Sequence, residues 1–125
     1  MSSLAGRRIM VVEDSYDLAR EACMVLQAAG AQIAGPFATA ANALKDLQHC
    51  VPDCALLDVN LGEGASFGLA RMLLTRGIPF LFFTGYDANA LLAEFAGVER
   101  LEKPVNAARL VQAVETCCRD TEQRG

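Results

Sequence analysis

Apolar and polar positions alternate along this chain in two rhythms. Arg8-Ile-Met-Val-Val-Glu13 is a short run of β-forming residues closed by acid, and Leu18, Ala22, Val25, Leu26 and Ala29 then recur at helical spacing from Ser15 onward. That pattern predicts strand, acidic loop and helix, with Gly30 as the left-handed stop. Residues 32–37 read as a weak second strand, and Thr39 reads as the N-cap of a helix over 41–50 that Pro52 breaks. Cys54-Ala-Leu-Leu-Asp58 is a continuous apolar run ending in a carboxylate, the mark of a strand covered on both faces. A glycine-rich loop follows at 61–65, Ser66 is placed to cap a helix through Thr75, and 79–84 forms the next buried strand, turned by Gly85. A short helix over 87–95, a short strand over 98–102 and a last helix from the cap Asn106 to about Cys118 complete the pattern.

Five strands alternating with five helices predict one α/β unit, a doubly wound parallel sheet with helices on both faces. There is no internal repeat, low-complexity tract or interdomain linker. The expected domain spans 7–119, after an extension over 1–6 and before a polar tail over 120–125. In such sheets ligands bind beyond the carboxyl ends of the strands, so the residues that close each strand are the ones to examine.

Composition narrows the function without changing the fold. The 125 residues are 53% hydrophobic and 21% charged, which suits one packed domain and excludes disordered and collagenous classes. A net charge of −4 offers no basic field for nucleic-acid phosphates or anionic lipid. The longest strongly apolar stretch, 77–85, is far below the ~20 residues that span a bilayer, and the N-terminus has no signal-like apolar segment. A cytoplasmic chain is expected. Five cysteines, Cys23, Cys50, Cys54, Cys117 and Cys118, form no C-x-x-C and suit reduced thiols. Cys50 and Cys54 with His49 have the residue types of a metal cluster, but cysteines on apolar runs are read here as small core hydrophobes.

The predicted carboxyl edge collects Glu13 and Asp14 after the first strand, Asp58 after the third, Thr84 after the fourth and Lys103 after the fifth. Three converging acids repel one another unless a cation sits among them. Hard oxygen donors favour Mg²⁺, with Mn²⁺ admissible, over zinc or copper. A hydroxyl and an ammonium beside them suit a phosphoryl group in transit, with a carboxylate as nucleophile. Singly, each of these residues is an ordinary helix cap or solvated loop side chain; the force of the set lies in all five falling on one edge.

Val12-Glu13-Asp14, Leu56-Leu57-Asp58-Val59-Asn60, Phe83-Thr84-Gly85 and Glu102-Lys103-Pro104, in this order and spacing, resemble the receiver domains of two-component response regulators over nearly the whole chain, about 7–119. The resemblance implies flavodoxin-like topology with strand order 2-1-3-4-5. It also implies Asp58 as phosphoacceptor, with Mg²⁺ held by Asp14, Asp58 and the backbone carbonyl of Asn60, and with Glu13 acting through water. Thr84 and Lys103 match the family's switch hydroxyl and phosphate-binding lysine, and Lys103-Pro104 is expected to be cis. The implied donor is a histidine kinase or histidine phosphotransferase. The output is then a changed surface built from the 87–95 helix, the fifth strand and the last helix, offered to a downstream protein.

Three features depart from the family. Arg100 stands where an aromatic residue usually couples the switch, so an aromatic rotation cannot operate there. Tyr86, two residues after Thr84, is a candidate to gate water or to take the aromatic's place; packing on the short helix is the plain alternative. The loop 61–66 is about two residues longer than the family's proline-containing turn. Pro79-Phe-Leu-Phe-Phe-Thr-Gly-Tyr86 partly resembles a Phe-Ala-Thr-Gly signature of a receiver subgroup, although Phe80, Phe82 and Phe83 read first as sheet core.

The expected role is a stand-alone receiver, a monomer or weak dimer, catalysing only its own phosphorylation and dephosphorylation. Met1-Ser-Ser reads as a natural start, and the alternatives are a receiver fragment of a hybrid histidine kinase or a phosphorylation-independent pseudo-receiver. A metal-dependent phosphohydrolase would need a second aspartate at position 60, where Asn60 stands. A flavin-binding protein would need a Ser/Thr/Gly-rich phosphate loop where Glu13-Asp14 stands.

Overall fold

The computed structural model describes residues 3–59, 61, 65–84, 95, 97–103 and 105–124. Strands β1 (Arg8–Val12), β2 (Gln32–Phe37), β3 (Cys54–Asp58), β4 (Phe80–Thr84) and β5 (Arg100–Glu102) alternate with helices α1 (Tyr16–Ala28), α2 (Ala40–Leu47), α3 (Ala65–Thr75) and α4 (Ala107–Arg124). All strand pairings are parallel, and the sheet order is β2-β1-β3-β4-β5. The expected helix over 87–95 lies almost wholly outside the described residues, as do Asn60, Gly85, Tyr86 and Pro104, and with them the expected cis Lys103-Pro104 bond.

Successive side chains of a strand point to opposite faces, and that alternation builds two cores. Ile9, Val11, Cys54, Leu56, Leu81, Phe83 and Leu101 pack under α1 and α4. Met10, Val12, Ala55, Leu57, Phe80 and Phe82 pack under α2 and α3. Upstream of β1, Leu4 is buried in the first of these layers, and its N–H donates to Ala29 O at 2.8 Å. Cys23, Cys54, Cys117 and Cys118 also belong to that layer as free thiols, while Cys50 is exposed. Burial raises the Cys54 thiol well above its ordinary range.

The helix boundaries follow local chemistry. Ser15 caps α1 and Thr39 caps α2, accepting at 3.2 Å from the Asn42 N–H in the second case. Asn106 Oδ1 accepts from the Arg109 N–H at 2.7 Å at the start of α4. Two endings differ from the sequence expectation. The α2 helix stops at Leu47, not Cys50, where the last turn tightens to three-residue bonds, the Gln48 N–H onto Lys45 O at 3.2 Å and the His49 N–H onto Asp46 O at 2.9 Å, before Pro52 has any say. The α4 helix runs on to Arg124, six residues past the expected end.

The edge strand β2 meets β1 with a register shift between Met10 and Val12, where Val12 pairs Phe37. Gly35 sits in this irregular stretch at φ 105, and a Cβ there would lie 2.7 Å from Phe37 N and 3.1 Å from Val11 O. Gly35→Ala is therefore expected to cost about 2–3 kcal/mol, strain and clash together. Urea midpoints of the two proteins measure it, and a loss under about 0.5 kcal/mol would show that the bulge relaxes freely.

Candidate functional site

Strand alternation also decides which closing residues meet. Asp58 shares its parity with Cys54 and Leu56, Lys103 with Leu101, and Glu13 with Ile9 and Val11, so all three continue the α1/α4 face past the strand ends. Lys103 Nζ lies 2.6 Å from Glu13 Oε1 and 3.2 Å from Asp58 Oδ1. Glu13, Asp14 and Asp58 each bring a carboxylate oxygen to within 4.8 Å of the other two; this is the one metal-competent group among the described residues. Glu13 and Asp58 are buried, at 3% and 1% exposure, while Asp14 is exposed, so the group has a buried floor and an open mouth.

Each member is held by its surroundings. The Ser15 N–H donates to Glu13 Oε2 at 3.1 Å, and the Glu13 N–H donates to Phe37 O at 2.9 Å, which fixes the acidic loop against the end of β2. The Lys103 N–H donates to Thr84 O at 2.6 Å, and Lys103 Nζ lies 5.0 Å from the centre of the Phe83 ring. The sequence reading assigned Phe83 to the core; the structure adds that this core ring also carries the lysine.

The electrostatics follow from burial and neighbours. Burial pushes the Glu13 carboxyl up to about 7; the Lys103 ammonium and the Ser15 N–H pull against this, and Asp58 adds to it. Burial alone would lower the Lys103 ammonium, but Glu13 and Asp58 outweigh it and hold it above its ordinary value. Three acids and one lysine leave the cluster short of positive charge, and its donors are hard carboxylate oxygens. That is the chemistry of a Mg²⁺ site.

Thr84 has the opposite parity, that of Phe82, and is buried, with its hydroxyl 3.5 Å from Leu101 O. It closes β4 one residue beyond Phe83, which pairs Asp58 in register. Arg100 opens β5 opposite Phe82, with its side chain exposed.

Ser66 differs from its expected place. It lies inside the first turn of α3, fully buried, and its hydroxyl turns back across the loop, donating to Asp58 O at 2.7 Å and accepting from the Leu61 N–H at 3.0 Å. Sequence reasoning recognised a serine with backbone-bonding work to do and mistook which backbone.

The chain matches the family model described as "Response regulator receiver domain" over residues 9–115. It is 33% identical over 110 residues to an uncharacterized response regulatory protein of Vibrio cholerae, covering 85% of this chain and 46% of that protein. It is 30% identical over 113 residues to the sensory transduction protein LytT of Bacillus cereus, covering 86% of this chain and 46% of LytT. The chain thus spans about half the length of the curated relatives it matches. Among solved structures, a CheY-like response regulator receiver domain protein of Methanospirillum hungatei superposes with a TM-score of 0.82 at 24% identity, over 95% of this chain and 98% of that one.

Proposed function

The chain belongs to the response regulator receiver domains, and from that premise we propose that it is the phosphoacceptor of a two-component phosphorelay, with Asp58 taking the phosphoryl group. The observation that carries this reading is the buried Asp58 carboxylate, joined to Lys103 within a cluster of three acids at the carboxyl edge of the sheet.

A carboxylate oxygen of Asp58 attacks the phosphorus of a phosphohistidine on a histidine kinase or phosphotransferase. The O–P bond forms as the P–N bond breaks, and the imidazole leaves with the bonding pair and takes up a proton. Lys103 Nζ, 3.2 Å from Asp58 Oδ1, is positioned to neutralise the incoming phosphoryl oxygens. Asp14 and Asp58, with the carbonyl of residue 60 and Glu13 through water, are the groups that would hold Mg²⁺, which when bound supplies further positive charge to those oxygens. Thr84 leaves Leu101 O to bond the new oxygens, and the movement passes to β5 and α4. With Arg100 exposed on β5, this coupling runs without an aromatic ring at that position.

The protein in this reading is no enzyme beyond its own phosphorylation and dephosphorylation. It works in the cytoplasm as a monomer or weak dimer, and its output is a protein partner, with no direct contact to nucleic acid or membrane. Among the described residues no helix is long and apolar enough to cross a membrane.

Intact-mass spectrometry after incubation with a small acyl phosphate tests the reading. One phosphoryl adduct is expected with Mg²⁺, and none after chelation. Absence of an adduct with the acyl phosphate and with a panel of histidine kinases would overturn it in favour of a phosphorylation-independent binding module.

A further inference from the structure

The hydroxyl of Ser66 uses both of its hydrogen-bonding roles on one short stretch of chain. It donates to the carbonyl of Asp58 and accepts from the N–H of Leu61. A hydroxyl at the start of a helix ordinarily bonds its own first-turn N–H groups. Here it reaches eight residues back to the end of β3 instead. Ser66 is 0% exposed, so water has no ready route to replace either bond.

The two anchored groups bracket the segment that leaves the phosphoacceptor. On the inner side, Asp58 belongs to β3 and the Val59 N–H donates to Phe83 O at 3.2 Å, which ties the strand end to β4. On the outer side the Leu61 N–H is held by the Ser66 hydroxyl at 3.0 Å. One rigid point between strand and loop is then supplied by α3, whose Leu69, Ala70 and Leu73 are buried in the core.

We propose that Ser66 is a positioning residue for phosphotransfer: by clamping Asp58 O and Leu61 N it sets the backbone that presents the Asp58 carboxylate and its metal-side loop. This rests on the reading of Asp58 as phosphoacceptor. Ser66 touches no reacting atom. It acts through the main chain on either side of position 60, whose carbonyl that reading assigns to Mg²⁺. Outer groups that orient metal ligands typically carry about a tenfold or larger share of metal affinity or activity.

The experiment compares wild type, Ser66→Ala and Thr75→Ala. Thr75 is the control because, among the described residues, its hydroxyl donates to Arg71 O, at 2.9 Å, on the exposed face of the same helix. Hydrogen exchange of the metal-free protein reads the clamp without any phosphorylation chemistry: the Leu61 amide of Ser66→Ala is expected to exchange at least about tenfold faster, with core strand amides unchanged. Mg²⁺ titration of the acyl-phosphate reaction reads its consequence, with half-saturation expected to rise about tenfold in Ser66→Ala and to stay put in Thr75→Ala. If Ser66→Ala equals wild type in Leu61 exchange or in Mg²⁺ half-saturation, the clamp does not position the site. A wild type that takes no phosphoryl group while Ser66→Ala still accelerates Leu61 exchange sinks the phosphoacceptor reading, and the positioning role with it, as distinct from the clamp. Should Ser66→Ala prove too unstable to handle, Ser66→Cys, which keeps a weak donor and acceptor, is expected to give intermediate exchange and half-saturation; values equal to wild type would overturn the role.

Discussion

Asp58→Asn is expected to abolish phosphorylation and at the same time to make the metal-free protein more stable. The first effect follows from chemistry, since an amide is no nucleophile toward phosphorus at neutral pH. The second depends on which carboxylate Lys103 chiefly serves. If Asp58 were its main partner, removing that charge would leave a buried ammonium unmatched and cost about 3–5 kcal/mol. The geometry says otherwise, because Nζ is 2.6 Å from Glu13 and 3.2 Å from Asp58, and a third acid, Asp14, crowds the same two carboxylates. Asparagine keeps the volume and an oxygen for Lys103 while removing one of the crowded charges. A gain of about 1–2 kcal/mol is expected without Mg²⁺, shrinking when Mg²⁺ is added, because the wild type alone recovers its full ligand set. Urea midpoints near pH 7.5 with and without Mg²⁺ measure the second effect and intact mass the first. A destabilised Asp58→Asn would show that Asp58 is the lysine's main partner.

Such a two-signed outcome is informative because function and stability draw on the same three acids. A site built for stability alone would pair each carboxylate. This one keeps an excess of negative charge in a buried pocket, which on the proposed reading a bound cation would relieve. Ser66 bonds the Asp58 carbonyl and the Phe83 ring lies 5.0 Å from Lys103 Nζ, so the main chain behind one acid and the ammonium that faces it each have a packed support.

The buried strands were legible in the sequence because continuous apolar runs between turn residues leave little choice. β2 and β3 match the expected spans, and β1, β4 and β5 lie within theirs. The parity that joins Glu13, Asp58 and Lys103 is equally a sequence property, since it needs only the period of two. What escaped was set by contacts distant in sequence. Nothing local marks Leu4 as part of the core, because a lone leucine before a strand carries no periodicity. Ser66 before an apolar run has the same signature whether its hydroxyl caps a helix or crosses a loop, and only the position of Asp58 O decides. The end of α2 is a local exception: Pro52 is a conspicuous breaker, whereas the three-residue tightening at Gln48 and His49 has no residue signature.

Glu13 supplies a pH dependence opposite to that of a salt-bridged surface acid. Its carboxyl titrates near 7 in the folded protein against an ordinary value of 4.5. Below the lower value both states are protonated and the group contributes nothing to the slope. Between the two values the unfolded chain has released the proton that the folded protein retains, so stability falls as pH rises through this window. Above about 7 both are ionised and the loss is complete. The span of the shift sets a ceiling of roughly 3 kcal/mol, and water at the Asp14 side of the cluster reduces this to about 2 kcal/mol. Lys103 does not offset it, since its ammonium is held above its ordinary value and stays charged throughout the window.

Mg²⁺ competes with that proton, so its stabilising effect is expected to be largest above pH 7, approaching about 2.7 kcal/mol at a hundredfold excess over its dissociation constant, and small near pH 5. Urea unfolding from pH 4.5 to 8, with and without Mg²⁺, should therefore give metal-free and metal-bound curves that diverge as pH rises. Glu13→Gln removes the titrating group, keeps the side-chain length and should flatten the metal-free curve across the window. Groups outside the cluster contribute equally to both proteins and drop out of the comparison. If Glu13→Gln retains the wild-type slope, the proton belongs to another member of the cluster, and the charge imbalance that Mg²⁺ relieves is centred elsewhere than on Glu13.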